Sequence, residues 1–149
     1  MTTLEGSWDY QSFLILSASP REDTSPGSPP APRKWATGTL TVPLGTSPDV
    51  RGELTFAPAI TLTVQGRITP ASDVSPSVFV ATGEGSIGPT KGALYQIAGT
   101  AITDANKRQS IHGWVLAVRG PDTHPETELG GMPIGTVGTF VLSEQAADE

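Results

Sequence analysis

The chain has no cysteine, two histidines, two methionines, and nine basic residues against fifteen acidic ones. Without cysteine there is no disulfide, no thiol nucleophile and no thiolate metal site. The formal charge of -6 repels phosphate backbones on average, and the basic pair Lys107-Arg108 falls in a polar turn. Neither nucleic acid nor an anionic membrane surface is therefore an expected partner. No apolar run approaches the roughly 20 residues of a membrane-spanning helix, and the evenly spaced, aromatic-rimmed strands of a membrane barrel are missing too. Met1-Thr2-Thr3-Leu4-Glu5 carries no basic segment followed by an apolar stretch, so the expectation is a cytoplasmic protein. Also missing is any stretch of about 12 residues with helical periodicity.

What is present is strand and turn material. Gly 17 and Pro 14 in 149 residues, with abundant Thr and Val, favour many short strands in one domain spanning residues 1–149. The clearest alternation follows Pro58, where Ile60, Leu62 and Val64 interleave with Thr61, Thr63 and Gln65, placing the apolar set and Ile68 on one face. Similar patterns predict eight strands at 6–16, 35–42, 51–56, 59–68, 78–85, 93–102, 110–119 and 136–142. Between the first two, residues 17–33 form a loop punctuated by Pro20, Pro26, Pro29, Pro30 and Pro32, long enough to be a lid or a surface insertion. The acidic residues 143–149 read as a frayed tail.

Eight antiparallel strands in an all-β domain suit a closed antiparallel β-barrel, with a β-sandwich as the alternative. Closure is favoured because the uncharged, β-prone segment 60–64 would be an aggregation hazard on an open edge.

The opening Gly6-Ser7-Trp8, a Gly-x-Trp at the start of the first strand, resembles the calycin-like barrels, the group that includes lipocalins, avidins and nitrobindin-type proteins. The resemblance implies a small barrel whose Trp8 packs across one end. Neither the mid-chain Thr-Asp-Tyr turn nor the C-terminal helix of a lipocalin is evident. The longer stretch from Gly6 to Phe13 also looks like the start of small bacterial all-β domains, with similarity continuing through Gly38-Thr39-Leu40, Gly52-Glu53-Leu54 and Gly138-Thr139-Phe140-Val141. Neither likeness implies a specific activity.

Candidate chemistry has to be carried by isolated residues. His112 shares strand parity with Trp114, Leu116 and Val118; if that face is inward, its imidazole enters the barrel and could pass a proton near neutrality. Glu84 shares parity with Val78, Val80 and Thr82, which would set a carboxylate at a pocket mouth. Tyr95 could donate a hydrogen bond to a carbonyl or enolate oxygen. These three are the catalytic candidates. Trp8, Tyr10, Trp35 and Trp114 are the aromatic bodies expected to line a ligand site. Asp9, Arg51, Arg67 and Arg119 read as solvent-facing. His124, Glu126 and Glu128 form the one grouping with metal-ligand residue types, but they fall in a loop of ordinary solvated charge, so no metal is expected. Gly83-Glu84-Gly85-Ser86-Ile87-Gly88 mimics a dinucleotide fingerprint but precedes no amphipathic helix, and no cofactor is expected.

The function expected from these features is binding of a small hydrophobic molecule inside the barrel. A cofactor-independent cyclase or isomerase acting on a polyketide- or terpenoid-like substrate is the second reading, and a structural or interaction domain with a packed core the third. The partner is accordingly a small hydrophobic molecule, with a homodimer left open. An interior void of about 300 Å³ or more would favour the first two readings over the third.

Overall fold

In the computed structural model, residues 4–15, 33–43, 49–57 and 60–145 are described. Eight strands follow in chain order: β1 (Gly6–Leu14), β2 (Arg33–Val42), β3 (Asp49–Ala57), β4 (Ile60–Thr69), β5 (Val78–Glu84), β6 (Leu94–Thr103), β7 (Gln109–Arg119) and β8 (Val137–Glu144). Each pairs antiparallel with its sequence neighbours, and β1 pairs with β8, so the sheet is a closed up-and-down barrel and the sandwich is excluded. Closure leaves no open edge for the β-prone segment of β4, which is held between β3 and β5. Ser143 and Glu144, expected in the acidic tail, pair within β8, and 146–149 lie outside the described residues. The Pro-rich loop, apart from Arg33 at the start of β2, lies outside the described residues, as does the lid reading of it.

On β4 the inward face is the expected one: Leu62, Val64 and Ile68 are buried while Gln65 and Arg67 are exposed. Volume inside the barrel is set by pairing large side chains with none. Tyr10 faces Gly38, Phe79 faces Gly99, Tyr95 faces Gly83 and Phe140 faces Gly113 across the ladders. Each aromatic ring thus covers a neighbouring position that has no side chain, which lets a narrow barrel hold four large rings. At Gly113 the arrangement is obligatory, since a Cβ there would lie 1.8 Å from the Ala98 carbonyl oxygen.

The two ends of the barrel differ. At the end where β1 begins, Gly6 adopts φ +115°, a conformation open to glycine, and the preceding chain brings Leu4 into the core. The Trp8 indole N–H donates to the Leu4 carbonyl at 2.8 Å. Trp8, Leu40, Val42, Val50, Ile68, Phe79, Ile111 and Leu142 are all buried and make this end a packed plug. Removing one such group, Phe79 for example, would cost about 3 to 5 kcal/mol. The opposite end carries the β5–β6 connection, with a 3-10 turn at Gly88–Thr90, and the long β7–β8 connection at 120–136.

Candidate functional site

The end opposite the plug holds a cavity of about 200 Å³, whose wall is formed by strand residues that include Leu54, Leu62, Val64, Ile97 and Val115. The volume falls short of the about 300 Å³ typical of a pocket for a drug-sized ligand. It exceeds the about 150 Å³ of an apolar cavity able to take up benzene. Gly83 leaves part of this space open, because its missing side chain faces the cavity.

Rings line the cavity from four strands, with Tyr10 on β1, Trp35 on β2, Phe56 on β3 and Tyr95 on β6. Tyr10 on β1 meets Phe56 on β3 edge-on, with centroids 5.7 Å apart at 81°, and stacks on Phe140 at 5.9 Å. Trp35 on β2 meets Tyr95 on β6 at 6.4 Å and 65°. Edge-to-face contacts of this kind suit the ring quadrupoles.

The polar centre comes from the β7–β8 connection. This segment folds on itself through Glu128 N–H to Met132 O at 2.8 Å, Gly131 N–H to Glu128 O at 2.9 Å and Ile134 N–H to Glu126 O at 3.2 Å. It is anchored to the β5–β6 connection by Asp122 N–H to Lys91 O at 2.7 Å and by the Arg119 guanidinium, which donates to Gly92 O at 2.6 Å. The result is that Glu128, only 4% exposed, enters the cavity wall. The Tyr95 hydroxyl donates to Glu128 Oε1 at 2.7 Å, the Met132 N–H donates to Oε2 at 2.8 Å, and the Leu129 N–H donates to the Tyr95 hydroxyl at 3.0 Å. Among the described residues no salt bridge reaches this carboxylate.

Both tyrosines lose acidity in this setting. Burial pushes Tyr10 up to about 12, against the pull of its Ser12 hydrogen bond and with a smaller push from the Glu128 charge. Tyr95 is raised by burial first, then by the bond it donates to Glu128 and by that carboxylate's charge. At neutral pH each is a hydrogen-bond donor held in an apolar wall.

Of the expected site residues, Tyr95, Tyr10 and Trp35 are brought together at the cavity. Four others are not. Trp8 lies in the packed plug, away from the cavity lining. The facing expected for β7 is reversed: Ile111, Val115 and Ala117 are the buried set, whereas Trp114 is 45% exposed and His112 lies outside with its Nε2 2.9 Å from Ser110 Oγ. The reason is the register. Gly113 must sit inside beside Phe140, and a strand's period of two then sends both His112 and Trp114 outward. Glu84 is also outside, because Phe79 and Ala81 take the inward parity of β5; it approaches Arg119 Nη2 at 3.8 Å. The residue that sequence reading misplaced is Glu128, taken as solvated together with His124 and Glu126. Those two are exposed and Glu128 is not. Among the described residues no group of three His, Asp or Glu side chains could hold a metal ion.

The molecule is an eight-stranded closed antiparallel barrel with an interior cavity, an architecture consistent with the calycin-like and related all-β barrels. Comparison of the chain with protein-family models, curated proteins and solved structures returns no match.

Proposed function

We propose that the barrel binds a small, mainly apolar molecule of about one ring at its open end. The observation that carries this reading is a hydrogen-bonded tyrosine–carboxylate pair set into the wall of a cavity that is otherwise apolar and unfilled. Apolar walls with a few placed polar groups are the usual composition of a small-molecule site. The volume of about 200 Å³ favours binding of a single ring over cyclisation of a polyketide-sized chain; it lies below the about 300 Å³ that would tell a binding barrel from a packed domain by size alone, so the polar pair in its wall carries the preference for binding.

Catalysis in the same cavity is the second reading, favoured by one contact. Glu128 Oε1 and the Tyr95 hydroxyl, 2.7 Å apart, offer a proton acceptor beside a donor, the pairing an enolisation needs.

Gly83→Val tests the binding reading, because a Cβ at position 83 meets nothing closer than Leu62 Cδ1 at 3.6 Å and longer branches extend into the cavity. Benzene, phenol and indole are expected to raise the Tm of the wild type and to lose that effect in the variant. Equal shifts in both proteins, or none in the wild type, would overturn the proposal.

A further inference from the structure

Among the described residues, the cavity lining carries one carboxylate, Glu128, among its rings and no Lys, Arg or His side chain. Each carboxylate oxygen has two acceptor sites, and Oε1 and Oε2 of Glu128 each use one, for the Tyr95 hydroxyl and the Met132 N–H. Among the described residues, two acceptor sites are left on a group that is 4% exposed. A buried carboxylate without a cation is an unfavourable arrangement that a bound cation would relieve.

The rings beside it are suited to the same ligand. Tyr10, Trp35, Phe56 and Tyr95 line the cavity with Glu128, and the two edge-to-face pairs hold their planes 81° and 65° apart. Aromatic rings that line one small volume can attract an ammonium group through their π faces. A neutral ligand would use the rings as apolar surface only and would leave the carboxylate uncompensated. An anionic ligand would meet Glu128 as a like charge.

We infer that the ligand of this cavity is a small organic amine, bound as its cation, with the ammonium N–H donating to Glu128 between the rings and a single-ring body lying on Leu54, Leu62 and Ile97. This deepens the binding reading above and rests on it. No reaction is implied: the nitrogen keeps its proton, and both groups leave unchanged.

The probes are benzylamine and benzyl alcohol, which match in size and differ in charge, measured by calorimetry at pH 7 on the full chain. Wild type is expected to bind the amine at least about tenfold more tightly than the alcohol, and Glu128→Gln to abolish the preference. The preference should also survive a rise from about 0.05 to 0.5 M NaCl, since a buried pair is screened little whereas general attraction to a protein of charge -6 is screened strongly. That salt series uses wild type alone, so it decides the matter even where Glu128→Gln fails to fold. Alcohol binding without an amine preference, a preference lost in salt, or one retained in a folded Glu128→Gln overturns the cation inference and leaves the cavity reading standing. Failure of both compounds to bind overturns the cavity reading itself.

Discussion

Raising the pH isolates the tyrosines, because the chain has only two and both line the cavity. In the unfolded chain each ionises near its ordinary value of 10, while in the folded protein Tyr10 is held up to about 12 and Tyr95 is likewise raised. Below pH 10 both states carry the same protons, and the tyrosines contribute their full share of stability. Above pH 10 the unfolded chain has released protons that the native barrel keeps, so stability falls toward the folded pKa. One retained proton corresponds to a slope of about 1.4 kcal/mol per pH unit. Two tyrosines lagging together steepen that slope, and the loss over the pH range above 10 is several kcal/mol in order of magnitude, comparable with the whole stability of a marginal domain.

Urea unfolding followed by far-UV circular dichroism from pH 9 to 12 measures that slope, and absorbance at 295 nm counts the tyrosinates. The expected result is little tyrosinate while the barrel is folded and both tyrosines appearing together as it unfolds. Tyr95→Phe should reduce the slope to about 1.4 kcal/mol per pH unit, whatever it does to stability at pH 7. Smooth ionisation of either tyrosine near pH 10 with the dichroism intact would refute the reasoning, because it would mean that the ring is not held in an apolar wall.

At neutral pH, Tyr95→Phe deprives Glu128 Oε1 and the Leu129 N–H of their partner, and urea titration should show a loss of about 2 to 3 kcal/mol. Glu128→Leu should cost a similar amount, with the double variant losing less than the sum of the two, as expected for a shared bond. Gly113→Ala should destabilise by about 3 kcal/mol or more, because its Cβ meets the Ala98 carbonyl, whereas Gly83→Ala, with open space beside it, should stay within about 1 kcal/mol by thermal melting. His112→Ala, an exposed change on the outer face, is expected to alter stability by less than about 0.5 kcal/mol and to leave binding of the single-ring probes unchanged between pH 5 and 9.

The barrel was legible in the sequence because period-two alternation and turn residues are local signals. All eight strands lie within a few residues of their expected positions, and β4 faces as Ile60, Leu62 and Val64 require. Facing failed where both parities are apolar. On β7 the bulk of Trp114, Leu116 and Val118 outweighs Ile111, Val115 and Ala117 in any reading of hydrophobicity, yet the cross-strand neighbours decide: Gly113 lies opposite the buried Phe140 of β8 and so close to the Ala98 carbonyl of β6 that no Cβ fits there. That constraint links residues far apart in sequence and has no local trace. On β5 the same conflict sets Val78 and Val80 against Phe79 and Ala81, and Val80 ends 55% exposed. Glu128 was hidden for another reason, since its neighbours His124 and Glu126 are solvated. The available signal was the apolar content of the connection itself: Leu129, Met132 and Ile134 in a segment at 120–136 mark a loop that covers something.

Two departures from simple barrel packing meet at the open end, and their coincidence is what gives the site its weight. A cavity of about 200 Å³ leaves apolar wall residues without packing partners on one side. A buried tyrosine–carboxylate pair is, in general, no more stabilising than apolar side chains of the same volume. Either could be removed by substitution: Gly83→Val would fill space, and Tyr95→Phe together with Glu128→Leu would take the whole pair out of the wall. The closed end shows that this chain can pack without voids, since Trp8, Phe79, Ile111 and Leu142 each bury nearly all of their surface. An unfilled space and an uncompensated charge in the same few ångströms are opposed by folding energetics alone. A ligand that fills the one and neutralises the other accounts for both.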